Sequence, residues 1–97
     1  MTLDEFKNSV RDDAQPNSEL SDPLKALWHE AKGDWERAHE LSQSAGNAEG
    51  DWVHAYLHRV EGDIGNASYW YNRAGRPRFE GSFESERNSI VAILLDS

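Results

Sequence analysis

The chain has 97 residues, a size that supports one domain with one modest core. A formal net charge of −8 argues against general phosphate-backbone binding, and the lack of cysteine excludes disulfides, thiolate metal ligands and thiol nucleophiles. No apolar run approaches the roughly 18–20 residues of a membrane span, and Met1-Thr2-Leu3-Asp4-Glu5-Phe6 has neither the basic nor the apolar region of a signal peptide, so the expected location is the cytoplasm.

Helix signals then follow in order. Thr2-Leu3-Asp4-Glu5 reads as a capping box, with Leu3, Phe6 and Val10 on one face of a short first helix. Residues 12–18, with Pro16, form a linker. Ser21-Asp22-Pro23 starts the second helix, because the hydroxyl caps it and Pro needs no N–H there. Leu24, Leu27, Trp28 and Ala31 stripe that helix. Gly33-Asp34 ends it and caps a third, striped by Trp35, Ala38, Leu41 and Ala45. Residues 46–50 read as a polar turn, with Asp51 capping a fourth helix striped by Trp52, Val53, Tyr56, Leu57 and Val60. Gly62-Asp63 repeats the turn before Ile64, Ala67, Trp70, Tyr71 and Ala74, and Gly75 suits a left-handed helix end. After a loop over 76–81, Ser82 or Ser85 caps a last helix that ends in Ile90-Val91-Ala92-Ile93-Leu94-Leu95.

No useful period-two pattern occurs, so the expected fold is all-α: six helices around two stacked antiparallel hairpins. The chain divides into an N-terminal helix and linker (1–21), a first hairpin (22–45), a second hairpin (51–75) and a C-terminal capping helix (82–97). Trp28, Trp35, Leu41, Leu57, Ile64 and Trp70 are the expected core. The terminal helix carries more apolar residues than one core can receive, which leaves a monomer or a weak homodimer open. Charge is uneven: residues 1–23 net −4, residues 24–78 net −1 and residues 79–97 net −3. Acidic ends repel nucleic acid.

Residues 30–38 align with residues 59–67, an offset of 29 positions from Gly33 to Gly62. Ala26 then pairs with Ala55, His29 with His58, Ala38 with Ala67 and Ala45 with Ala74. Small residues at matched positions let helices approach and hairpins stack. The pattern Gly33-Asp34-Trp35…Ala38…Ala45, repeated as Gly62-Asp63-Ile64…Ala67…Tyr71…Ala74, resembles the tetratricopeptide and Sel1-like repeat families over about residues 22–78. The whole chain is also similar to a small microbial family of no established activity, marked by residues 52–59 and by Tyr69-Trp70-Tyr71. The repeat here is shorter than the tetratricopeptide one, and two copies cannot make a long groove.

The resemblance implies a protein- or peptide-interaction module. Its register would place Glu30, Trp52, Tyr56 and Arg59 on the concave binding face, where two rings and a guanidinium suit a peptide. The alternative makes Trp52 and Tyr56 core residues and pairs Arg59 with Glu30 or Glu61. A secondary basic-aromatic patch is formed by Trp70, Arg73, Arg76 and Arg78, suited to a phosphate, an acidic peptide or single-stranded nucleic acid, or else to the carbonyls of a helix end.

His54 and His58 stand one helical turn apart and project from one face, so both can reach one metal ion. A third ligand could be His29, equivalent to His58 in the repeat, or His39, and Glu30 or Glu61 could complete the set. The competing reading makes these half-buried structural histidines, bonded to Trp, Tyr or backbone. No serine sits in a nucleophile elbow, no glycine run has the Lys and Ser or Thr of a phosphate loop, and no calcium loop is present. No catalytic residue, no cofactor and no bound metal is therefore expected, with His54, His58 and His29 as the alternative metal set.

Overall fold

Six polar side chains set where the helices begin. In a computed structural model that describes residues 1–96, these are α1 (Leu3–Asp12), α2 (Asp22–Ala31), α3 (Trp35–Ala45), α4 (Ala48–Val60), α5 (Ile64–Ala74) and α6 (Phe83–Leu95). Thr2, Ser21, Asp34, Asn47, Asp63 and Ser82 each accept a hydrogen bond from a backbone N–H in the first turn that follows. Each bond satisfies a donor that the helix cannot satisfy itself. The described residues contain no strand, so the all-α class is observed.

The two Gly-Asp turns have matching backbones. Gly33 and Gly62 lie at φ 94° and 89°, and Asp34 and Asp63 follow at φ −104° and −91°, both with ψ 78°. Gly is needed at the first position, because side-chained residues rarely adopt positive φ. The helices that follow, α3 and α5, both close on a left-handed glycine, Gly46 and Gly75. Helix α2 packs most extensively on α3, and α4 on α5; α3 and α4 then join the pairs.

The entry to α4 differs from expectation. Asn47, not Asp51, is the cap, and the helix already includes Gly50. The Asn47 side chain accepts from the Gly50 N–H at 2.8 Å. A Cβ at Gly50 would lie 2.8 Å from both the Ser42 carbonyl oxygen and the Ala45 Cβ. The bare backbone lets the first turn of α4 sit against the end of α3, which shortens the turn.

The core is one cluster built on Phe6, Leu27, Trp28, Val53, Tyr56, Leu57, Tyr71, Ile90 and Val91, with Leu41 at its edge. Ile64 is not part of it: the residue is 45% exposed at the first turn of α5. Trp35 and Trp70 are only partly buried, because their faces meet histidines instead of aliphatic side chains. Helix α6 resolves its surplus of apolar residues by turning Ile90, Val91 and Leu94 inward and leaving Ile93 outward. It packs on α1, α2 and α4. No described helix is long and apolar enough to cross a membrane.

Candidate metal centre

Four rings at helical spacing face each other where α3 meets α4. Trp35 and His39 lie one turn apart on α3, and His54 and His58 lie one turn apart on α4. The Trp35 indole N–H donates to the Leu57 carbonyl at 2.9 Å, which ties the start of α3 to α4. The Trp35 ring stacks on His39 at 4.8 Å with an 11° interplanar angle. His54 is held between Trp70 of α5, stacked at 4.0 Å, and His58, stacked at 4.7 Å. His39 meets both α4 imidazoles edge-on, at 4.6 Å and 5.4 Å.

This packing brings one nitrogen from each of His39, His54 and His58 within 4.8 Å of one another. The Nε2 atoms of His39 and His54 are 3.0 Å apart. Two nitrogens bound to a tetrahedral zinc ion at 2.0–2.1 Å lie about 3.3 Å apart, so a shift of a few tenths of an ångström converts this contact into a chelate. His58 Nδ1 is 2.6 Å from Glu61 Oε1. A carboxylate on Nδ1 holds that nitrogen protonated and leaves the Nε2 lone pair for a ligand role.

Burial and the neighbouring imidazoles favour the neutral forms of His39 and His54. His54, 3% exposed, is pushed down to about 4, chiefly by burial and then by His39 and His58. Burial, followed by His58, also lowers His39. Neutral imidazole is the form that binds metal, so binding at His39 and His54 releases no net proton near neutral pH, and the hydrogen shared between their Nε2 atoms moves to a ring Nδ1. Three nitrogen donors favour zinc, copper(II), nickel or cobalt over magnesium and calcium, which take oxygen ligands.

His29 is not the third member. Its ring stands edge-on to Trp28 at 5.2 Å, apart from the histidine group. Matched repeat positions place His29 and His58 alike on successive first helices, whereas convergence comes from α3, the helix that packs beside α4. Glu61 does serve the group, through His58. Glu30 does not, because its oxygens receive the Tyr56 hydroxyl and Arg87 Nη1, the latter at 3.1 Å.

The face assigned to peptide binding lies under α6. Tyr56 has no exposure and Trp52 is 7% exposed. Arg59 Nη1 donates to Glu86 of α6 at 2.9 Å, and its other nitrogen donates to the Gly81 carbonyl. Its partner is therefore neither Glu30 nor Glu61. Tyr71 donates to the other Glu86 oxygen. Two matching clusters result: Tyr56 and Arg87 on Glu30, and Tyr71 and Arg59 on Glu86. Burial first, then the carboxylate hydrogen bond, raises the pKa of both tyrosines. Burial also raises that of Glu86, against the opposing pull of Tyr71 and Arg59. Glu86 and Arg87 escaped the sequence reading, although an adjacent acid-base pair in an apolar helix was their available signal.

The basic-aromatic patch divides in two. Trp70 backs His54, and the Arg73 guanidinium lies 5.0 Å over the Trp70 ring and 3.6 Å from Asp51. Arg76 and Arg78 lie on the opposite flank, where Arg76 sits 4.0 Å over the Trp52 ring. Comparison of the chain with protein-family models, with curated proteins and with solved structures finds no match.

Proposed function

We propose that this protein binds one divalent transition-metal ion of the zinc or copper class through His39, His54 and His58, with Glu61 orienting His58. The observation that carries this reading is the convergence of three imidazole nitrogens from two hairpins within 4.8 Å. The ion would bridge α3 and α4, so binding would fasten the first hairpin to the second. An interaction role, as the repeat resemblance implies, has to use a face other than the one α6 covers.

Calorimetric titration of the metal-free protein with zinc tests the proposal. One ion per chain is expected, with no heat from magnesium. His39→Phe keeps a ring against Trp35 but removes a ligand, and should weaken zinc by about a hundredfold. Glu61→Gln should weaken it by about tenfold, as loss of an orienting partner does. His29→Phe should leave affinity unchanged. Zinc binding that survives His39→Phe undiminished would refute the site.

A further inference from the structure

A second feature, independent of the histidines, lies on the opposite flank of α4. A cleft of about 210 Å³ is lined by Trp52, Arg76, Arg78, Phe79, Ser89 and Ile90, among others. Its floor is apolar, since Ile90 and Trp52 belong to the buried core. Its rim is exposed and cationic at Arg76 and Arg78. Arg76 is held in place by its 4.0 Å contact with the Trp52 ring.

Neither rim guanidinium forms an ion pair among the described residues. Glu86 also reaches the cleft, but it is 1% exposed and its oxygens are held by Arg59 and Tyr71. Its charge is therefore met from within. In a chain of net charge −8, two arginines without an ion pair above an apolar floor complement an anion with an apolar body. Beside them the segment 78–80 has no regular secondary structure, and its backbone makes no hydrogen bond with other described residues.

We infer that this cleft receives the C-terminal residue of a partner polypeptide. The terminal carboxylate meets Arg76 and Arg78, the last side chain, of leucine or phenylalanine size, enters the cleft, and the preceding residues pair with the open backbone at 78–80. That backbone is what favours a polypeptide over a free acid, because only a peptide can use it.

The test is an NMR titration that follows the Trp52 indole and the amides of Arg78, Phe79 and Glu80. The probes are an N-acetylated hexapeptide ending in leucine, the same peptide with an amidated C-terminus, and acetyl-leucine alone. The free-acid peptide should shift all four signals and bind at least about tenfold more tightly than either other probe. Two variants make the test independent of folding. Arg76→Gln with Arg78→Gln should weaken the peptide by about tenfold or more. Ser89→Leu, at an exposed rim position, should block the cleft with both arginines intact. Equal binding of the amidated peptide, no shift at Trp52, or undiminished binding to both variants would overturn the proposal. Equal affinity for acetyl-leucine would overturn its polypeptide part and leave a small-acid pocket.

Discussion

His54 shows how one residue's surroundings set a property of the whole chain. Its folded pKa of about 4 lies below the value near 6.5 of an unperturbed histidine. The unfolded chain thus binds more protons than the folded one between those values. In the metal-free protein, stability contributed by the neutral imidazole is complete above pH 6.5 and is lost as pH falls toward 4. His39, lowered in the same direction, adds to the slope. Urea unfolding of the metal-free chain should show stability declining from pH 7 to pH 5, and His54→Phe should flatten that decline; an unchanged slope would mean that His54 titrates freely. Glu86 is a buried carboxylate on which burial favours the neutral form, as at His54, but Arg59 and Tyr71 oppose it. Arg59→Met leaves that charge without its cation and should cost about 3 kcal/mol or more. Adding Glu86→Gln to Arg59→Met should recover part of the loss, measured by urea midpoint. A double variant no better than the single one would show that the ion pair is not what the arginine supplies.

At the scale of elements, the starts of five helices were written in local chemistry, and those five caps were legible for that reason. Ser82 was one of two candidates, and Asn47 was missed. The Asn47 cap depends on Gly50 passing close to Ser42 and Ala45, a tertiary contact that no local signal reports. Ile64 was misread because the apolar stripe of α5 is wider than the surface α4 covers. The equivalent turns yield a symmetric prediction. Asp34→Ala and Asp63→Ala each remove one first-turn backbone hydrogen bond, at 3.1 Å and 3.2 Å, from matching backbones, and Asp63→Ala also removes an exposed bond from the Asn66 side chain at 2.7 Å. Each should cost about 1 kcal/mol in thermal or chemical unfolding. A large difference between them would show that the two turns are not energetically equivalent, despite their shared dihedral angles.

For the molecule as a whole, α6 decides which surfaces are open. It supplies Glu86 and Arg87 to the two tyrosine clusters and lies over the face where a repeat scaffold would receive a peptide. The candidate metal centre was half legible: the spacing of His54 and His58 predicts a shared face, and the structure has them stacked at 4.7 Å. The third member was left between His29 and His39, because repeat equivalence relates His29 to His58 by translation and carries no information on which helix faces α4. The pairing of Trp35 with His39 at one-turn spacing was the usable signal. An ion held between hairpins binds the folded chain alone, so zinc at one hundred times its dissociation constant should add about 2.7 kcal/mol of stability. At the same zinc concentration that gain should fall to about 0.4 kcal/mol in His39→Phe, as read by thermal unfolding with and without zinc.

The most direct measurement is the X-ray absorption spectrum of the zinc-loaded protein. Binding at His39, His54 and His58 predicts three imidazole nitrogens at about 2.0–2.1 Å, with the outer-ring scattering that histidine produces. A shell made of oxygen ligands, or one with a single imidazole, would contradict the account.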